Sequence, residues 1–191
     1  MSLRDDLGNL IQQTKGFVRT NRFRVILTPP QELQRTGGSD GSRLSSRDIE
    51  NRINLSARAA QIPGWNMDSV NRDISGDVPQ KLSNTLHYNQ TRLQFYVSKD
   101  FFEVEFFNNW RELIADDTAN RLGYYQDYIG SLQVIPTQKN VEETTLGNAF
   151  AYNEIVPKTV GDIEFTYEGD NQVALLDVAF DYRNFTIERT T

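Results

Sequence analysis

Apolar and polar side chains alternate along "VGDIEFTYEGDNQVALLDVAFDYRNF", residues 160–185, on both sides of the break Glu168-Gly169-Asp170-Asn171. Ile163, Phe165 and Tyr167 share one face before the break, and Leu176, Val178, Phe180 and Tyr182 share one face after it. Successive strand residues leave opposite faces, so period two around a Gly/Asp/Asn turn predicts a β-hairpin. Its second face is mixed, with Asp162, Glu164, Asp177 and Asp181 beside Val173, Leu175 and Ala179. The same alternation predicts strands over "RFRVIL", where Phe23, Val25 and Leu27 share a face, over Asn54–Gln61, over "RLQFYV" with Leu93, Phe95 and Val97, and over "YIGSLQVI". Pro29-Pro30 ends the first of these and "IPGW" ends the second. Residues 66–90 hold short β-like pieces broken by Pro and Gly, the pattern of an extended arm or irregular hairpin.

Period 3.6 surfaces in two places. Leu3, Leu7, Leu10 and Ile11 predict a short amphipathic helix over residues 3–14. The stronger stripe is Phe106, Phe107, Trp110, Leu113 and Ile114, preceded by Asp100 and Glu103 at the spacing of a capping box. So aromatic a helix needs a sheet or barrel end to cover it, which makes Phe106, Phe107 and Trp110 its predicted anchors. Residues 31–53 are poor in apolar side chains and predict a long polar loop. The fold class expected is mainly β: an antiparallel β-sandwich or small barrel with one main α-helix packed against it. With 191 residues, one domain is expected over 1–191, with a short N-terminal segment 1–18 and the loop at about 31–53.

Composition sharpens this picture. Eleven Phe, eight Tyr and two Trp supply a core, no run approaches the length of a membrane span, and the start lacks the pattern of a secretory signal. The absence of Cys removes any disulfide framework and fits assembly in a reducing cytoplasm. The net charge of −6 is unevenly placed: eight Arg face four acids between Arg19 and Arg58, whereas thirteen acids face five bases from Asp116 to Thr191. A subunit with a basic and an acidic end suits head-to-tail stacking, in which heterologous contacts make rings or filaments.

Catalysis finds little support. His87 is the sole histidine and Cys is missing, which excludes sites of two His, of Cys/His or of four Cys. A triad would have to use His87, which reads better as an ordinary strand residue. "GGSDGS" lacks the Lys and Ser/Thr of a phosphate-binding loop, and the pairs Asp116/Asp117 and Glu142/Glu143 sit in polar segments. Neither a catalytic residue, a metal ligand nor a cofactor is expected. An acidic chain also argues against sequence-specific nucleic-acid binding.

Five segments occur in an order that is similar to the tail tube proteins of contractile-tailed bacteriophages: "NRFRVIL", "QIPGWNM", "RLQFYVSKDFFEVEFFNNWRELI", "YYQDYIGSLQVI" and "YNEIVPKTVGDIEFTYEGDNQVALLDVAFDYRNF". The most specific is the last, where Pro157, Val160, Gly161, Gly169 and Tyr182 resemble the family's closing hairpin. The likeness runs from Arg22 onward and departs at residues 31–53, a loop longer than is usual in the family.

The resemblance implies a structural virion protein whose hexameric rings close an inner β-barrel and stack into the hollow tube of a contractile tail. It implies partners: further copies of the chain, the tail sheath protein, the tape-measure protein, the baseplate, and double-stranded DNA passing without specific binding during ejection. The implied location is the virion, after assembly in the host cytoplasm, and the implied fold is shared with the ring protein of type VI secretion. Asp162, Glu164, Asp177 and Asp181 are then candidates for a surface facing lumen or sheath. Arg35, Arg43, Arg47 and Arg52 are candidates for contacts between rings. Two alternatives stand beside this reading: a tube-initiating baseplate protein, and a monomeric carbohydrate-binding or hydrolytic β-sandwich.

Overall fold

The computed structural model of the protein describes residues 20–36, 49–72, 80–116, 121–137, 148–165 and 173–189. Its strands are β1 (Phe23–Thr28), β2 (Ala57–Gln61), β3 (Trp65–Arg72), β4 (Gln80–Tyr88), β5 (Thr91–Tyr96), β6 (Ala115–Asp116), β7 (Arg121–Leu122), β8 (Gly130–Pro136), β9 (Asn148–Val160), β10 (Leu175–Asp181) and β11 (Asn184–Arg189). The helices are α1 (Gln31–Thr36), α2 (Phe102–Ile114) and α3 (Tyr125–Tyr128), with a π-helical turn over Ile49–Asn54.

All pairings are antiparallel, and β9 organises them. Its first half pairs with β8, which pairs with β1, and on its other side with β11. Its second half, Val156–Val160, pairs with β10, which leads on to β5 and β2. One thirteen-residue strand therefore belongs to two sheets. The change of sheet falls at Glu154, whose φ of 54° is rare for a residue with a Cβ. There the register with β8 skips one residue, since Gly130 faces Ile155 while Ser131 faces Asn153. A bulge of this kind bends a strand and increases its twist.

The core lies between the sheets and α2. Val25, Leu27, Leu132, Val134, Tyr152 and Ile155 come from one side, and Leu93, Phe95, Leu176, Val178 and Phe180 from the other. Phe106, Phe107 and Trp110 enter from α2, each no more than 1% exposed. Phe107 lies 5.3 Å from the Phe95 ring and 6.0 Å from Phe180, and Trp110 stacks on Phe107 at 6.4 Å. The indole Nε1 donates to the Tyr128 carbonyl at 2.7 Å, which fastens α3 to α2. Gly130 makes room for that indole: a Cβ there would stand 2.9 Å from Trp110 Cη2 and 2.7 Å from the Thr28 carbonyl oxygen.

Several sequence expectations change in detail. The segment over 31–53 is anchored at both described ends, because Leu33, Ile49 and Ile53 are fully covered by the core. Leu33 anchors α1, and Ile49 and Ile53, four residues apart, anchor the π-helical turn. The capping box does not form. Phe101 occupies the left-handed N-cap position, φ 55°, without a side-chain cap, and Glu103 turns back to accept from the Ser98 amide and hydroxyl at 2.9 and 2.6 Å. The strand over 54–61 starts at Ala57, since Asn54 closes the π-helical turn.

The closing hairpin is shifted along the chain. Val178 pairs with Val160 and Asp181 with Val156, so β10 uses the residues before Gly161, while 161–165 run without strand pairing. Pro157 in the second half of β9 hid this strand from pattern reading, because Pro suits edges and bulges. The chain also adds β11 beyond the hairpin. The helix over 3–14 and Gly169 lie outside the described residues.

Candidate assembly surfaces

The sheet β2-β5-β10-β9 has one face filled by α2 and the core. Alternation places Arg92, Gln94 and Tyr96 of β5 and Asp177, Ala179 and Asp181 of β10 on the opposite face. Asp177 and Asp181 are exposed there, and both have partners on the same face. Gln94 Nε2 donates to Asp177 Oδ1 at 2.9 Å, and Lys158 Nζ lies 3.1 Å from Asp181 Oδ2. Asp162 and Glu164 are also exposed, on the segment after β9.

Two edges of this sheet have no strand beside them among the described residues: β2 on one side and the second half of β9 on the other. Each is irregular. On β2, Ala57 faces Phe95 and Ala59 faces Gln94, which leaves Arg58 as an extra residue. On β9, Thr159 faces Ala179 and Pro157 faces Phe180, which leaves Lys158 as an extra residue. Beside the β9 edge runs a groove of about 480 Å³ lined by Val104, Phe107, Val160, Ile163 and Arg111. Leu55 and Ile62, 76% and 44% exposed, flank β2. The β1 edge is treated differently, for its Leu27 amide donates to Asn54 Oδ1 at 2.9 Å.

The predicted arm is a hairpin of β3 and β4 that pairs only with itself among the described residues. Trp65 sits opposite Tyr88 and Met67 opposite Leu86, giving an apolar face whose members are between 42% and 62% exposed. The other face carries His87, whose Nε2 meets Asp68 Oδ2 at 2.9 Å. Tyr182 ties the arm to the body: its hydroxyl donates to the Asn89 carbonyl at 2.9 Å, and its ring lies 6.1 Å from Tyr88 and 5.2 Å from Tyr152. Burial pushes the phenols of both Tyr152 and Tyr182 up.

Two polar clusters stiffen the frame. At the corner of β9, Glu154 accepts from Tyr125 Oη at 2.7 Å and from Arg183 Nη1 at 3.0 and 3.1 Å. Those bonds hold its carboxyl below the usual carboxylate range, and the same contact raises Tyr125. At the start of α2, Arg52 pairs with Asp100 and lies 3.9 Å over the Phe102 ring. The Arg52 guanidinium, helped by the Ser98 hydroxyl, holds Asp100 at about 2. Of the four arginines singled out from sequence, Arg52 is thus engaged within its own subunit. Arg43 and Arg47 lie outside the described residues, and only the backbone of Arg35 is described.

Pro157, Val160 and Gly161 lie together at the β9 edge, and the Gly161 amide donates to the Asp177 carbonyl at 2.7 Å. Sequence reasoning missed Glu154 and Asn54. A lone Glu between Asn153 and Ile155 gives no sign of a bulge, and an Asn that caps a distant strand edge leaves no local pattern. Among the described residues no group of three or more His, Cys, Asp or Glu could hold a metal ion, and no helix is long and apolar enough to cross a membrane.

The fold has solved counterparts. It superposes on a chain of the anti-feeding prophage baseplate, determined by cryo-EM with six-fold symmetry, with a TM-score of 0.61 at 10% identity, over 90% of this chain and 95% of that one. A chain of the sheath–tube complex of an extracellular contractile injection system, PVC, gives 0.57 at 12% identity, over 95% and 97%. An Hcp protein crystal structure gives 0.51 at 8%, over 88% and 93%. Identities so low establish a shared fold. No curated protein matches the sequence. The family model described as phage tail tube protein matches residues 18–188, nearly the whole chain. The chain belongs to the phage tail tube protein family, and is a structural component of the phage tail and no enzyme.

Proposed function

We propose that the subunit forms hexameric rings by joining the β2 edge of one copy to the β9 edge of the next, and that the rings stack into the tube of a contractile tail. The observation that carries this reading is the four-stranded sheet with one face open and, among the described residues, both edges unpaired. Strand direction alternates from β2 through β5 and β10 to β9. Because four is even, β2 of the next copy meets β9 antiparallel, and the alternation continues around a closed barrel. Closure pairs both free edges of this sheet. The joint also sets Leu55 and Ile62 beside the groove under α2.

In this arrangement the open face lines the lumen. Asp177 and Asp181 lie there with Arg92 and Lys158, two acids against two bases, with Asp177 bonded to Gln94 and Asp181 paired with Lys158, so the wall is close to neutral. DNA gains affinity when protein cations displace the counterions condensed on its phosphates. A wall whose acids balance its bases gives it little hold, and the duplex slides. The apolar face of the arm, Trp65, Met67, Leu86 and Tyr88, lies on a neighbouring copy, since a patch of this kind on an extended hairpin marks a contact site. Arg35, Arg43 and Arg47 meet acidic surface of the adjoining ring. The sheath protein, tape-measure protein and baseplate complete the set of partners, and the subunit enters the virion after assembly in the host cytoplasm.

The missing cysteines make a direct test. Ala59→Cys or Gln61→Cys combined with Thr159→Cys should give, after oxidation of assembled tubes and denaturation, a ladder of disulfide-linked species that ends at six. Tubes that assemble normally yet yield no linked species from either pair would overturn the β2–β9 joint. Single variants control for stray oxidation.

A further inference from the structure

The arm continues the sheet that carries the open face. Gln61 of β2 faces Arg92 of β5, and four residues along each strand Trp65 of β3 faces Tyr88 of β4, so the two ladders keep one register. Between them the pairing is interrupted over Ile62-Pro63-Gly64 and Asn89-Gln90, where Pro63 has no amide hydrogen to donate. The Thr91 hydroxyl, donating to the Gln61 carbonyl at 2.7 Å, closes the sheet side of this gap. The Asn89 amide, donating to the Gly64 carbonyl at 3.2 Å, closes the arm side. A two-stranded hairpin standing alone is marginally stable at best, and a break in its ladder is where it can swing.

Tyr182 reaches this gap from the body of the subunit. Its hydroxyl donates to the Asn89 carbonyl at 2.9 Å, and its ring lies 6.1 Å from Tyr88 at the base of the arm and 5.2 Å from the buried Tyr152. The other end of this tie is fixed to the corner of β9. Arg183, the next residue, donates its amide to the Asn153 carbonyl at 3.2 Å and its guanidinium to Glu154. We infer that Tyr182 sets the angle at which the arm leaves the sheet, so that the face of Trp65, Met67, Leu86 and Tyr88 is aimed before it meets a neighbouring copy. The inference rests on the arm contact proposed above and names the residue that positions it. An arm free to swing has to be ordered as it docks, and its apparent affinity falls with the fraction of subunits that hold the docking angle. Fixing the arm in advance removes that cost.

The test uses the full-length chain, as free subunits and in assembly. Because the chain has no cysteine, Ser69→Cys on the arm and Glu112→Cys on α2, both exposed positions, take spin labels at those two sites alone. Pulsed EPR then measures the distance from arm to body. The chain with Tyr182 intact should give one narrow distribution, Tyr182→Phe, which keeps the ring and loses the hydroxyl, a broader one, and Tyr182→Leu the broadest. A neutral hydrogen bond is worth about two- to tenfold in an equilibrium. Tyr182→Phe should therefore raise the critical concentration for tube assembly by about that factor, and Tyr182→Leu, which also loses the ring contacts, by more. Circular dichroism and thermal melting confirm the fold of each variant. A residue that only stabilised the core would lower the melting temperature and leave the distance distribution unchanged. A distribution already broad with Tyr182 intact, one unchanged in Tyr182→Leu, or a broadened one with an unchanged critical concentration would overturn the inference. Met67→Asp reads the arm contact separately: normal tubes from that variant would remove the contact, while the label distances still report whether Tyr182 fixes the arm.

Discussion

Replacing Trp110 with Ala tests the whole account of how α2 is held. The indole is 0% exposed, touches the Phe106, Phe107 and Phe180 rings, and donates its one hydrogen bond to the Tyr128 carbonyl. Truncating a buried aromatic to Ala costs about 3–5 kcal/mol in lost transfer energy and cavity formation. The Tyr128 carbonyl loses its donor as well, at about 1 kcal/mol. Against a total stability of about 5–15 kcal/mol, a sum of about 4–6 leaves the subunit marginal or unfolded. In a domain of this size each kcal/mol shifts Tm by about 2–4 °C, so the variant should melt roughly 8–24 °C lower. Trp110→Phe separates the two contributions: it keeps most of the ring packing and loses the hydrogen bond, and should cost about 1–2 kcal/mol. Urea unfolding of unassembled subunits, monitored by far-UV circular dichroism, measures both. A loss below about 1 kcal/mol for Trp110→Ala would show that α2 does not depend on its aromatic face, and equal losses for Ala and Phe would assign the effect to the hydrogen bond alone.

Two further outcomes follow from the packing and the charges. Gly130→Ala should destabilise by about 1–3 kcal/mol, because the added Cβ meets the Thr28 carbonyl oxygen at 2.7 Å and the Trp110 ring at 2.9 Å, and thermal melting of the free subunit checks it. The Arg52–Asp100 pair gives a pH signature. Asp100 titrates near 2 in the folded chain against an ordinary value of 3.8, so its contribution is complete above about pH 4 and is lost as pH falls through about 2. Asp100→Asn should flatten the pH dependence of stability in that window, and a profile identical to wild type would show that the pair does not contribute.

How much of this was legible in sequence depended on the element. The strands at 23–28 and 91–96 and the helix at 102–114 alternate or repeat cleanly, because each buries one face only, and their anchors Val25, Leu93, Phe95 and Trp110 could be read directly. The strand at 148–160 was hidden because it serves two sheets. Its burial pattern changes phase at Glu154, and Pro157 argues against a central strand, so no single period describes it. Leu33, Ile49 and Ile53 were passed over for a related reason: isolated apolar residues have no periodicity, and only the tertiary fold tells an anchor from a loop residue. The face of β10 was legible from alternation, but its pairing partner was not, since alternation fixes faces and leaves register to the turn.

The shared strand has a mechanical meaning. Two sheets joined only by side-chain packing can slip past one another at the cost of contacts that re-form after the slip. Here any sliding of the sheet β1-β8-β9-β11 over the sheet β9-β10-β5-β2 has to stretch the backbone through Glu154, where the bulge is clamped by Tyr125 and Arg183. In a tube wall built from such subunits, shear between the two sheets runs along covalent bonds in every copy. A hollow cylinder tied in this way resists buckling under axial thrust as a laminate with stitched plies does, and the stitch is one glutamate wide.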